Sequence, residues 1–377
     1  MSHAMAGNSG VQRWRAALSF RPPYLIGRTI VATLRLNLGR GGLRQHLNFL
    51  RHAAAFVLRP TAVNYVHTIL QIEPSLTCNL NCDHCTHQAH TSHQNLTLDN
   101  LKRIVARFPY LTQINLTGVG EPLLNREIFP IIDFIKGKKI FLRMTTNGML
   151  LREPVARQLI ASGIDELKIS IDAIDDTLAR TLRKGSNMEL IQGNIKTLNA
   201  LKRELGSKTP LLEINTVLSV QNIHELPRIV RAAADLQAQS IYVYHLLDLF
   251  DSPAVKALQL YAGDNATKAR NAVAEARALA KEFGIALRLP GMTPRPSPCN
   301  LPWTLMIVAA NGDVYPCCIY HFKRAESATG DVIFGNILET PLAEVVNSRN
   351  AVRLRRALKT KDYTNTCRNC PVTMGTF

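Results

Sequence analysis

The chain has 377 residues, enough for a large buried core and for two domains or one barrel with an appendage. No apolar run approaches the roughly 18 residues of a membrane span, and the first apolar stretches are broken by arginines with no small-residue cleavage site behind them, so no secretory pattern is expected. The net charge of +17 is uneven: nine arginines and no lysine, aspartate or glutamate precede Glu73.

Within that basic region Leu43, Leu47, Leu50, Ala54 and Val57 recur at helical spacing, while Arg44, Asn48, Arg51 and Arg59 lie mostly off the stripe. The stretch reads as an amphipathic basic helix. Its stripe either packs on the body of the protein, leaving the arginines in water, or meets an anionic membrane surface. Little aromatic interleaving argues against single-strand nucleic-acid binding.

From about residue 68 strands and helices alternate. Strand patterns fall at 68–73, 112–117, 140–145, 166–171, 211–218 and 240–246, and helical patterns fill the gaps. Thr97 to Phe108 illustrates them, with Thr97 as N-cap and Leu101, Ile104, Val105 and Phe108 on one face. Six such units predict a parallel sheet with right-handed crossovers, as an open sheet or a partial barrel. Arg143, Thr145 and Asn147 share one face of the third strand; Lys168, Ser170 and Asp172 share one in the fourth, and Glu213 and Asn215 in the fifth. A polar lumen suits a ligand-containing partial barrel better than a closed one filled with branched apolar layers. Lys168 and Glu213 themselves read as a buried pair.

The first strand runs into Ile72–His87, where Cys78, Cys82 and Cys85 form a C-x3-C-x2-C array. Three thiolates leave one position of a four-coordinate metal open for chemistry; a zinc loop closed by His84, His87 or a distant cysteine is the alternative. Eight cysteines without a secretory pattern point to metal binding in a reducing, cytoplasmic setting. The next strands end in Thr117-Gly-Val-Gly-Glu-Pro122, Thr145-Thr-Asn-Gly148 and Ser170-Ile-Asp172. In parallel α/β units these ends form the binding face, so they should converge above the Cys loop.

Ala266 to Phe283 reads as a linking helix, and Pro294-Arg-Pro-Ser-Pro298 marks a boundary. Beyond it lie Cys299, a hairpin turning at Asn311-Gly312-Asp313, Cys317, Cys318, and Cys367 and Cys370 in a CxxC before Pro371.

Together these residues resemble the radical S-adenosylmethionine (SAM) superfamily over about residues 68–370. The resemblance implies that Cys78, Cys82 and Cys85 hold a [4Fe-4S] cluster whose fourth iron binds SAM, with His84 beside the adenine. The family's Gly-Gly-Glu-Pro motif falls on Val119, Gly120, Glu121 and Pro122, where it holds the SAM amino group; Val119 departs from the pattern. Asn147, Ser170 and Asp172 match positions that contact the ribose or methionine end, and Asn215 and Val217 match the adenine region. Gly312 and Cys317 fit an element of SPASM and twitch extensions, implying that Cys299, Cys317, Cys367 and Cys370 hold one auxiliary [4Fe-4S] cluster. A zinc site with the same thiolates is the alternative. Either Cys317 or Cys318 could be the ligand, and Trp303 is expected over the cluster.

The expected fold is therefore α/β: a partial (β/α)6 TIM-like barrel over 67–260, a linking helix over 261–290, a twitch/SPASM-like domain over 291–377, and a basic helical extension over 1–66. The expected activity is reductive cleavage of SAM to a 5′-deoxyadenosyl radical that abstracts hydrogen from a substrate. Cys318, Tyr244 and His245 are the catalytic candidates, and a flavodoxin or ferredoxin the reductant. Oxidation of a sugar or aminocyclitol alcohol is the first specific expectation. A peptide maturase and an enzyme acting on a lipid or lipid-linked sugar are alternatives. Against the maturase stand the lack of a leader-binding winged-helix pattern and the single auxiliary cluster. A zinc-bearing, non-catalytic nucleic-acid-binding protein is the reading from another class.

Overall fold

A computed structural model describes residues 42–89, 94–248, 252–261, 264–323, 333–368 and 370–374. The described residues begin with α1 (Leu43–Leu58), then β1 (Ile69–Ile72), β2 (Asn81–Cys82), α2 (Leu98–Ala106), β3 (Gln113–Leu116), α3 (Ile128–Gly137), β4 (Phe141–Thr146) and α4 (Glu153–Ala161). It continues through β5 (Glu166–Ser170), α5 (Asp176–Leu182), β6 (Arg183–Lys184), α6 (Met188–Glu204), β7 (Leu211–Leu218), α7 (Leu226–Asp235) and β8 (Ser240–His245). The last part holds α8 (Pro253–Leu258), α9 (Asn265–Glu282), β9 (Ala286–Arg288), α10 (Leu301–Thr304), β10 (Met306–Val308) and β11 (Asp313–Tyr315). It ends with α11 (Cys318–Phe322), β12 (Gly335–Asn336), α12 (Leu342–Val346), α13 (Arg349–Thr360), α14 (Asn365–Arg368) and α15 (Pro371–Met374).

The six expected βα strands are β1, β3, β4, β5, β7 and β8, paired in that order and all parallel. Two features extend this α/β sheet. β9 adds a parallel strand beside β8, pairing Ile241 with Leu287; three residues after a long helix carry too little alternation to announce it. At the other edge β10 pairs parallel with β1, Leu70 opposite Met306 and Ile72 opposite Val308, and β11 and β12 follow antiparallel. The C-terminal hairpin thus continues the sheet that carries the Cys loop.

Alternation sorts each strand into two faces. Leu142, Met144, Leu167, Ile169, Leu212, Ile214, Ile241 and Val243 are buried in the main core. That core includes Leu101, Ile104 and Val105 of α2, whose first turn is capped by Thr97 accepting the Asn100 N–H at 3.1 Å. Each such Leu or Ile adds ~1.5–3 kcal/mol by leaving water. The opposite face carries Arg143, Thr145, Lys168, Ser170, Glu213, Asn215, Ser240, Tyr242 and Tyr244, the polar lumen expected from parity.

Helix α1 is where packing reverses the expectation. Its buried residues are Asn48 and Ala55, while Leu43, Leu47, Leu50, Val57 and Leu58 are exposed, Leu43 by 76%. Asn48 donates to Val66 O at 2.9 Å and accepts from Val66 N at 2.7 Å, and His52 stacks on Tyr65 at 4.7 Å. These contacts select the polar side of the helix as its inner face, so the leucine stripe does not pack on the barrel.

Candidate active site

The Cys loop is anchored twice. β2 pairs antiparallel with β6, placing Cys82 opposite Arg183. Arg183 in turn contacts Asp172 at the end of β5, Nε to Oδ2 2.6 Å, with His84 Nε2 3.7 Å from the same oxygen. The other oxygen, Oδ1, accepts the Val217 N–H at 2.7 Å. Asp172 therefore ties the Cys loop to β7, and His84 lies beside it.

Cys78, Cys82 and Cys85 are free thiols. Burial pushes all three up; Arg183 opposes this at Cys82, and the backbone around Leu80 and His87 opposes it at Cys78 and Cys85. The His87 N–H donates to Cys85 Sγ at 3.4 Å. Buried thiols with one nearby guanidinium and a backbone donor suit conversion to thiolates by a cationic group.

Glu121 lies beside this loop, almost fully buried. Oε1 accepts from Thr146 Oγ1 at 2.7 Å and from the Leu123 N–H, while Oε2 accepts the Asn147 N–H at 2.8 Å. Burial nevertheless raises its carboxyl above the ordinary value, against those three donors. Asn147 reaches across to Asn79 Oδ1 at 2.8 Å, joining the third strand end to the Cys loop. Gly120 is required for space: a Cβ there would lie 2.3 Å from Ser75 O. Val119 takes no positive φ, so the departure from glycine is accommodated without strain. Ser170 and Asn215 are opposite one another across β5 and β7, and Asn215 Oδ1 is buried without a hydrogen-bond partner.

Below these residues the lumen holds an ionic network. Lys168 pairs with Glu213, Arg143 with Glu166 at 2.9 Å, Ser240 donates to Glu213 at 2.8 Å, and Arg288 of β9 stands 3.8 Å from Glu213. The expected Lys168–Glu213 pair exists, within a larger set. Tyr244 belongs to this face. His245 points the other way, its Nε2 2.9 Å from Gly291 O and its ring edge-on to Tyr261. Among the two β8 candidates only Tyr244 is near the lumen.

Cys299, Cys317, Cys367 and Cys370 line one cavity together with apolar residues such as Leu301 and Ile319. Burial raises every one of these thiols, that of Cys299 to about 12. Four thiols facing an apolar space fit an iron–sulfur cluster, whose irons would hold them as thiolates. Cys318 is outside the cavity lining. Its charge, if ionised, would bear on Tyr242 and Tyr244. Trp303 is also outside it, contrary to expectation: its Nε1 donates to Pro60 O at 2.8 Å and Arg59 lies 4.8 Å over its ring.

Two residues escaped the sequence reading. Arg183 has no motif around it. Glu73, which ends the first strand pattern, is fully buried and accepts the Val119 N–H at 3.2 Å. The only hint was a lone acid between an apolar strand and Pro74.

A cysteine triad in the loop after β1, a buried glutamate beside it and four thiols around one cavity of the C-terminal region make up the candidate site. The chain matches the radical SAM superfamily model over residues 72–233 and an iron–sulfur cluster-binding SPASM domain over residues 299–371. The chain is a radical SAM enzyme with a SPASM-type C-terminal domain: it binds a [4Fe-4S] cluster and SAM, and its C-terminal domain binds auxiliary iron–sulfur chemistry. This sets aside the non-catalytic zinc reading.

It is 24% identical over 316 residues to a tungsten-containing aldehyde ferredoxin oxidoreductase cofactor-modifying protein of Pyrococcus furiosus, covering 80% of this chain and 86% of that protein. It is 26% identical over 271 residues to the PqqA peptide cyclase of Xanthomonas axonopodis pv. citri, covering 69% of this chain and 67% of the other. The structure of Streptococcus suis SuiB bound to the precursor peptide SuiA superposes with a TM-score of 0.62 at 16% identity, over 87% of this chain and 74% of that one. No helix among the described residues is long and apolar enough to cross a membrane.

Proposed function

We propose that this enzyme modifies a peptide, as a maturase of a ribosomally made precursor. The observation that carries this reading is the relationship to PqqA peptide cyclase over 69% of the chain. The expected sugar or aminocyclitol oxidation gives way to it, because the relatives described above are a cyclase and a modifying protein. The lumen is compatible with a peptide side chain: Lys168, Arg288 and Tyr242 offer donors, and Glu213 and Glu166 offer acceptors.

In this reading Cys78, Cys82 and Cys85 hold the SAM-binding cluster, and Cys299, Cys317, Cys367 and Cys370 hold one auxiliary cluster. Held there, a [4Fe-4S] cluster would supply one-electron reducing power for cleavage of SAM, drawn from a flavodoxin- or ferredoxin-type donor. Glu121 and Gly120 orient the SAM amino end, and Asn147, Ser170, Asp172, Asn215, Val217 and His84 form the walls around the rest. Tyr244 and Cys318 border the substrate.

The test uses the reconstituted enzyme with SAM, a reductant and synthetic peptides corresponding to short reading frames beside its gene. A SAM-dependent change in peptide mass, with release of 5′-deoxyadenosine, supports the reading. If no peptide changes and a sugar alcohol alone stimulates 5′-deoxyadenosine release, the reading fails.

A second observation bears on where the enzyme works. The exposed Leu43, Leu47, Leu50, Val57 and Leu58 of α1 are flanked by exposed Arg44 and Arg51 and belong to a region without one acidic residue. Apolar side chains beside cations complement an anionic lipid surface. Sedimentation with phosphatidylglycerol vesicles should fall for Leu47→Gln/Leu50→Gln and for Arg44→Gln/Arg51→Gln, and should be absent with phosphatidylcholine. Equal binding by all forms would rule it out, as would a wild-type dimer that these substitutions dissociate.

A further inference from the structure

The segment from Arg59 to Tyr65 leaves α1 and is strapped to the C-terminal domain rather than to the barrel. Trp303 Nε1 donates to Pro60 O at 2.8 Å, Arg355 Nη1 to Thr61 O at 3.0 Å, and Tyr65 Oη to Trp303 O at 2.7 Å. Val63 exchanges two hydrogen bonds with the Asn347 side chain, at 2.7 and 2.9 Å. The strap begins with Arg59 in the left-handed region, φ 50°, its N–H closing on Ala55 O. That turn aims the guanidinium inward. Nη2 donates to Cys299 O at 2.7 Å, and the group lies over the Trp303 ring.

Among the described residues no carboxylate pairs with Arg59. Burial lowers its affinity for the proton, and the groups whose negative charge would act on it are Cys299 and Tyr363. A partly buried cation gains from an anion that answers it. With a cluster iron bound, the Cys299 sulfur would be the anion at hand; it is one of the four that line the auxiliary cavity.

We propose that Arg59, supplied by the N-terminal strap, poises the auxiliary cluster by favouring its reduced state. Reduction adds one electron, and so one negative charge, to a cluster already ringed by four thiolates. A fixed cation at one ligand offsets that charge, and net charge and hydrogen bonding are what set such potentials. Arg59 is a positioning residue: it touches the ligand residue and not the substrate. The inference rests on Cys299 being a cluster ligand.

The experiment is a redox titration of the full-length reconstituted enzyme followed by electron paramagnetic resonance with SAM present, so that the signal SAM does not perturb reports the auxiliary cluster. Arg59→Gln and Arg59→Met should shift its midpoint to more negative potential. Arg59→Lys should stay at the wild-type value, and so should Asn347→Ala, which cuts two strap bonds and leaves the charge. Neutral variants at the wild-type midpoint would overturn the proposal, and so would an Asn347→Ala shift as large as theirs. Loss of the auxiliary signal from both neutral variants would also overturn it, since the guanidinium would then hold the cluster rather than poise it. Iron analysis of Cys299→Ala tests the ligand separately: full iron content there removes the premise.

Discussion

Glu73 at the end of β1 and His321 in α11 face each other with Oε1 and Nε2 3.4 Å apart, both side chains without solvent exposure. The same Glu73 oxygen accepts the Val119 N–H, and its side chain occupies the space a Cβ on Gly118 would need, 2.5 Å from Cγ. The helix that begins beside Cys317 is thereby joined to the loop carrying Glu121.

Breaking this pair should disturb both partners. Glu73→Ala takes the acceptor from the Val119 N–H and the facing carboxylate from His321, a loss of ~1–3 kcal/mol on the scale of a buried donor left unsatisfied. Chemical denaturation of the apoprotein should show it, and SAM affinity should fall with it because the Glu121 loop loses its support. Unchanged stability and unchanged SAM binding would refute the coupling.

The two positions of the Val119-Gly120 pair should respond in opposite ways. Gly120→Ala forces a methyl against the Ser75 and Thr77 carbonyl oxygens, which are backbone and cannot turn aside. Retained SAM binding is not expected, and stability should drop by more than ~2 kcal/mol. Val119→Gly restores the family's residue where no positive φ demands it. It should cost ~2–3 kcal/mol through the lost packing of a buried side chain and chain entropy, and leave SAM binding near wild type. Calorimetric titration with SAM separates the two, and the reverse order would refute the steric account.

Acid should weaken the junction of α1 with the strap. Burial lowers His52 to about 4 and also holds His67 well below its ordinary value, so both are neutral when folded. Groups with a depressed folded-state pKa lend stability that is present above the unfolded value of about 6.5 and is lost as pH falls toward the folded one. Between pH 6.5 and 4, His52 accounts for a loss on the order of 2–3 kcal/mol. His52→Phe keeps the ring stacked on Tyr65 and should flatten the dependence of melting temperature on pH in that window. An identical slope in wild type and variant would exclude His52 as the cause.

Much of this arrangement was legible in the chain because it rests on local regularity. The six barrel strands show as apolar alternation, Thr97 as a cap, Gly312 as a turn residue at φ 92°, and the lumen as a parity of polar residues. What stayed hidden depends on partners far apart. Glu73 and His321 are single charged or polar residues separated by most of the chain, as are Arg59 and Cys299, and no spacing relates them. The inverted packing of α1 was hidden for a different reason. A leucine stripe looks the same whether it is covered or bare, and two hydrogen bonds from Asn48 decide the matter.

The adjacent Cys317 and Cys318 should separate cleanly. Cys317 caps the start of α11 in an extended conformation, φ −166°, and lines the cavity with Cys299, Cys367 and Cys370. One residue later the chain has turned into the helix, and Cys318 packs among Ile307, Tyr315 and Tyr320 with Tyr242 and Tyr244 within electrostatic reach. Reconstituted wild type should bind roughly eight irons per chain, and Cys317→Ala roughly four, with the SAM-responsive cluster intact. Cys318→Ala should keep all of them. If Cys318 serves the substrate, its variant should retain SAM binding and iron while losing product formation. Loss of auxiliary iron from Cys318→Ala, and not from Cys317→Ala, would exchange the roles of the two thiols.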